Sequence, residues 1–158
     1  MPTIEATINI NADAADVYQA ARDNLENLVN FLANVDEIQI LEREGARTLS
    51  RWHGHVRAPV GGTMEFEWTE EDWWDDAGRR CRFKATEGDF DQYEGEWYFE
   101  DNGAGCCSRL VLHFEKVIPL FGDLIQGLLA KKVQEMSQDT LRALKEMVEA
   151  GQAGEAAA

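Results

Sequence analysis

The sequence predicts an α+β domain: a curved antiparallel sheet of about seven strands wrapped round a long C-terminal helix, with two short helices after the first strand. Three observations predict it. Residues 64–100 read MEFEWTEEDWWDDAGRRCRFKATEGDFDQYEGEWYFE, where apolar and charged residues alternate with the period of two that marks half-buried strands. The connections DDAG and DNGAG are hairpin signals, so the strands run antiparallel. From Leu120 onward the apolar spacing changes to three and four, the period of a helix.

Each element follows in order. Thr3 to Ile10 alternates, with Ile4, Ala6, Ile8 and Ile10 on one face, and is the first strand. Asn11 offers a helix cap, and 12–22 suits a short helix. Asn24 to Asn34 reads as a second helix with Leu25, Leu28, Val29 and Leu32 inward. Strands are expected over 35–44 and 46–56, separated by a turn at Gly45. After the APVGG turn, further strands fall at 63–73, 80–86, 92–100 and 106–116. The last third is one helix of about 30 residues, roughly 45 Å long, with Pro119 near its start. Residues 1–150 make one domain, and GQAGEAAA at 151–158 is expected to be a disordered tail. The long helix is the only element large enough to cover the apolar sheet face.

At 158 residues the chain is long enough to bury a core. Its net charge of −15 argues against nucleic acid and against docking to anionic membranes. Residues 64–101 hold 14 Asp or Glu against 4 Arg or Lys, an excess expected on the outer, wet face of the sheet. The start, MPTIEATINI, carries no signal-peptide pattern, and no apolar run reaches membrane-spanning length. Cys81, Cys106 and Cys107 form no disulfide framework, and together these features predict a cytoplasmic protein.

The element order, with GDF at 88–90, YEGEWYFE at 93–100 and IPLFGDLI at 118–125, resembles the START-like helix-grip (SRPBCC) superfamily. Within it the chain is most similar to the polyketide cyclase/dehydrase and lipid transport branch, which includes coenzyme Q-binding-like proteins. The resemblance spans roughly Thr3 to Val148 and rests on aromatic positions and hairpin spacing, with no catalytic signature. It implies a deep hydrophobic cavity between sheet and C-terminal helix. The wall would be built by Phe66, Trp68, Phe83, Phe90, Tyr93, Trp97, Phe99 and Leu112 from the sheet, and by Leu28 and Leu32 from the second helix. Ile125, Leu128, Leu129, Val133 and Met136 would close it from the long helix. The cyclases of this branch show a tract similar to FEWTEEDWW, but their key arginine falls on Asp72 here and a tyrosine at the end of their second helix falls on Val35. A second basic position persists as Lys84, which strand alternation puts opposite Phe83 on the outer face. A carboxylate where a cation belongs inverts the field around a developing oxyanion, so the cyclase mechanism does not transfer.

The remaining candidates are weighed by type. His53 and His55 share a strand face, yet no third ligand accompanies them, so neither metal nor other cofactor is expected. Trp52 and Val56 claim the opposite face of this strand, which favours Arg51, His53 and His55 as solvated residues; if the three point inward instead, they are the best polar contacts for a ligand. Trp73 and Trp74 are adjacent on a strand, so one of them is exposed. The vicinal Cys106 and Cys107 point to opposite faces and read as inert.

The leading expectation is a carrier for a hydrophobic small molecule such as a lipid, isoprenoid quinone or polyketide, in a pocket of at least a few hundred Å³. The alternative is a cyclase or dehydratase using Tyr93, Asp72 or the His53/His55 pair. A third is a protein-interaction module, with Trp73 and Trp74 as the contact and a second copy of the chain as partner.

Overall fold

The computed structural model describes residues 3–57, 61–115 and 122–157, with the backbone course alone for 122–126 and 152–157. Seven strands form one antiparallel sheet: β1 (Thr3–Ile10), β2 (Val35–Glu44), β3 (Arg47–Arg57), β4 (Thr63–Asp75), β5 (Arg80–Gly88), β6 (Gln92–Asp101) and β7 (Cys106–Glu115). Their order is β1-β7-β6-β5-β4-β3-β2, so the meander from β2 to β7 ends beside the first strand. Two helices complete it: α1 (Ala14–Asp23) and the long α2 (Gly122–Ala157), with a 3₁₀ segment at Leu25–Phe31 between α1 and β2. This is the helix-grip arrangement. No helix among the described residues is long and apolar enough to cross a membrane.

The periodicities explain the placement. Along β7 the even positions from Cys106 to Phe114 are all buried, and the odd ones are half-buried. In α2, Val133, Ser137, Leu141, Leu144 and Val148 are buried at spacings of three and four, giving the stripe that meets the sheet. Outside that stripe, Gln134 and Gln138 donate from their side-chain amides to the carbonyls of Glu5 and Thr7 (3.1 and 3.3 Å). These bonds satisfy acceptors on the edge strand β1 that would otherwise invite another strand.

Some expectations change. The second helix is 3₁₀ rather than α, because Leu25, Leu28 and Phe31 recur at a spacing of three and place one row against the core. The first helix begins at Ala14, and its N-cap is Asp13 rather than Asn11. The segment set apart as a disordered tail is helical through Ala157. Pro119 and the turn residues 58–60 lie outside the described residues.

Gly95 shows how tightly the sheet interior is filled. A Cβ there would run into the Val111 carbonyl and meet the Phe83 ring at 2.9 Å. Gly95→Ala should therefore push β6 away from β7 as well as displace Phe83, and cost at least about 1–3 kcal/mol, the range for overpacking a filled interior. Urea denaturation checks this; an unchanged midpoint would contradict it.

Candidate functional site

The interior between sheet and α2 is lined by aromatic rings set by strand alternation. From β4, Trp68, Glu70, Asp72 and Trp74 share one face, while Glu71 and Trp73 face outward. The bulge in the β4–β5 pairing leaves Thr86 of β5 unmatched, so β4 keeps its period through the acids. β3 adds Ser50 and Trp52, β5 adds Cys81 and Phe83, and β6 adds Tyr93 and Trp97. Phe90 comes from the turn before β6, and its ring centroid lies 4.9 Å from that of Tyr93.

The rings pack on one another. Trp68 stacks on Trp52 (5.5 Å, 12° between planes) and on Phe66 (5.8 Å, 13°), and contacts Tyr93 at 5.2 Å. Trp97 packs against Trp74 (6.4 Å) and Phe99 (5.1 Å). Because the rings fill the interior, the remaining enclosed space is only about 40 Å³. The deep cavity implied by the resemblance is therefore a narrow cleft, and the expected few hundred Å³ is not met.

Its floor is polar. Glu70 and Asp72 are 6 % and 3 % exposed, and their carboxyl groups lie side by side. The Trp68 indole donates to Glu70 Oε2 (3.1 Å). The Trp52 indole donates to Ser50 Oγ (3.0 Å), which in turn donates to Asp72 Oδ2 (3.4 Å). Burial raises both carboxyls above the usual carboxylate range, and the repulsion between them raises Asp72 further. Burial, and then the two acids, also push the Tyr93 hydroxyl well above its ordinary value. Cys81 is raised for the same reasons and is no thiolate nucleophile.

Among the wall residues expected from sequence, Trp68, Phe83, Phe90, Tyr93, Trp97, Val133 and Met136 line the cleft, and so does the candidate acid Asp72. Val35, which falls at the cyclases' tyrosine position, lines it too. Others do not. Leu28, Phe99 and Leu112 are consumed by solid packing at 0–1 % exposure, Phe99 beneath the edge of Tyr18 (5.5 Å). Phe66, Leu32 and Leu129 pack against the core from outside the cleft. Leu128 is 40 % exposed, and the Ile125 side chain lies outside the described residues. The histidines are also elsewhere. Trp52 takes the inward face of β3, so His53 and His55 point outward, where Asp36 Oδ2 lies 3.6 and 2.9 Å from their Nδ1 atoms. Arg51 is exposed, as is Lys84 on the outer face. Of the adjacent tryptophans, Trp73 is 43 % exposed and Trp74 is buried. No three-ligand metal group occurs among the described residues.

Sequence reasoning missed Leu25, Trp52, Glu70, Trp74, Cys81, Leu110, Ser137 and Thr140 as lining residues. For Glu70 the signal was present: counting by twos from Trp68 places 70, 72 and 74 on its face. Residue type alone assigns these acids to the wet side, and the strand period overrules it.

Comparison with known proteins agrees with this architecture. A family described as polyketide cyclase / dehydrase and lipid transport matches residues 1–149. Among solved structures, the chain is similar to TTHA0849 from Thermus thermophilus, at 40 % identity and a TM-score of 0.87, covering 95 % of this chain and 99 % of that one. The Zhui aromatase/cyclase from Streptomyces sp. R1128 shares the fold at 19 % identity and a TM-score of 0.82, over 94 % of this chain and 93 % of that one. A START superfamily protein from Mycobacterium smegmatis does so at 16 % identity and a TM-score of 0.68, over 93 % and 97 %. No curated protein matches.

Proposed function

The chain belongs to the polyketide cyclase / dehydrase and lipid transport family, and from that premise we propose that it binds a compact hydrophobic small molecule in the cleft between the sheet and α2. The observation that carries this reading is the aromatic wall with polar groups collected at one place on it, the usual composition of a small-molecule site. The volume argues for a compact ligand: about 40 Å³ holds a few waters, whereas a long-chain lipid or quinone needs several hundred Å³. Even a single aromatic ring must widen the cleft. Met136 and Phe90 are the half-buried lining groups that can yield, methionine through its unbranched, flexible chain.

The enzyme alternative retains Asp72 and Tyr93 in the cleft and loses the histidines. Against it, no Lys, Arg or His lines the cleft among the described residues, so nothing cationic meets a developing enolate. The reading as a protein-interaction module loses Trp74, which is buried, and keeps only Trp73 as a contact.

Thermal-shift and native mass spectrometric titrations with indole, 2-naphthol and palmitate test the proposal. One- and two-ring compounds should bind one per chain and raise Tm, and palmitate should not. Failure of every compound, with no small molecule carried through a mild purification, would overturn it.

A further inference from the structure

Resting on the reading above, the structure points to a narrower ligand class. The cleft buries two carboxyl groups, Glu70 and Asp72, and supplies no positive side chain to either among the described residues. Buried acids are ordinarily paired with a cation, because a buried charge without a counter-charge is strongly unfavourable. Here the partners outside the pair are neutral: the Trp68 indole for one, the Ser50 hydroxyl for the other.

A second observation is independent of the acids. Ser137 of α2 is 4 % exposed and lines the cleft; its hydroxyl makes no side-chain hydrogen bond among the described residues, and since no fully buried polar atom there lacks a partner, its Oγ opens on the cleft space. Its neighbour Thr140, one turn on, bonds back to the Met136 carbonyl in the usual helical way (2.9 Å). Ser137 does not, and it lines the space. The Tyr93 hydroxyl across the cleft likewise takes no partner among the described residues. Two hydroxyls without a side-chain partner among the described residues therefore share a small cleft with two carboxyls that hydrogen-bond each other and meet no cation. Trp52, Trp68, Trp74 and Trp97 also line the cleft, rings of the kind that attract cations.

We infer that the cleft takes a ligand carrying a protonated amine on a flat apolar body, the nitrogen set at Glu70 and Asp72 and the body against Trp68. The ligand supplies the positive charge beside which the protonated acid pair can ionise. The ammonium donates to the carboxylates, and the Ser137 or Tyr93 hydroxyl accepts a further N–H. The ionisable groups facing the acids are Tyr93 from β6 and Cys81 from β5, with Glu71 adjacent on β4. The residues that α2 and the 3₁₀ segment place on the cleft (Leu25, Val133, Met136, Ser137 and Thr140) carry no charge. Amine binding must therefore drive protons from the acid pair.

Calorimetric titration compares benzylamine, protonated at neutral pH, with its neutral isostere benzyl alcohol and with the anion benzoate. Benzylamine should bind at least tenfold more tightly than either, and should release protons when two buffers of different ionisation enthalpy are compared at pH 7. Glu70→Gln with Asp72→Asn should remove that tenfold preference. Equal binding of benzyl alcohol or benzoate would overturn the amine inference and leave the cleft as a hydrophobic site. Binding of none of the three, with indole and 2-naphthol also silent, would remove the hydrophobic site itself. Benzylamine binding that survives in the double variant would place the amine on the acidic outer surface, and it too would overturn the inference.

Discussion

Trp68→Ala should lower the unfolding free energy by about 3–5 kcal/mol, the range for truncating a large buried aromatic. Trp68 is 3 % exposed and joins the rings of Trp52, Phe66, Phe90 and Tyr93 into one wall. Its indole is also the hydrogen-bond donor to Glu70, so the truncation leaves a buried carboxyl short of a partner. Trp73→Ala is the control. That ring is 43 % exposed on the opposite face, and its loss should cost well under half as much. Urea denaturation of the two variants decides it; equal losses would mean that the inward wall does not hold the sheet together.

The acid pair should give the protein an unusual pH dependence. Burial raises Glu70 and Asp72 in the folded state, so the native chain binds more protons than the unfolded chain between the two sets of values. Their contribution is most favourable below the unfolded values, near pH 4. It declines as pH rises toward the folded values, and the full cost is present above them. Glu70→Gln with Asp72→Asn should remove this slope and raise stability at pH 8 by about 1–3 kcal/mol, the cost of a poorly compensated buried polar group. The many surface acids titrate in both proteins, so the difference between wild type and variant isolates the pair. A double variant that is less stable than wild type at pH 8 would show that the carboxylates are well compensated in the fold.

How much of this was legible depends on which force wrote the pattern. Burial wrote the strands and the long helix, and their periods survive in the sequence from Ile4 to Val148. The residue row at Trp68 was also legible, and so were the exposure of one of the pair Trp73 and Trp74 and the outward Lys84. The polarity of Glu70 misled, because a carboxylate between aromatic strands reads as a solvated residue unless its face is counted from Trp74 as well as from Trp68. Phe99 has the same inward pattern as Trp97, yet the edge of Tyr18 covers it and makes that place solid; Leu112, opposite Gly95, is fully buried as well. No period distinguishes a ring that lines a space from one that fills it. For the same reason the narrowness of the cleft could not be read from spacing: it follows from how the rings of Trp52, Trp68 and Tyr93 lie on one another.

A crystal structure of the protein grown with benzylamine tests the central claim most directly. The ring should lie against Trp68 inside the cleft, with Met136 or Phe90 displaced and the nitrogen about 3 Å from the Glu70 or Asp72 carboxyl. A cleft still closed, with the compound bound only among the acids of the outer sheet face, would contradict it.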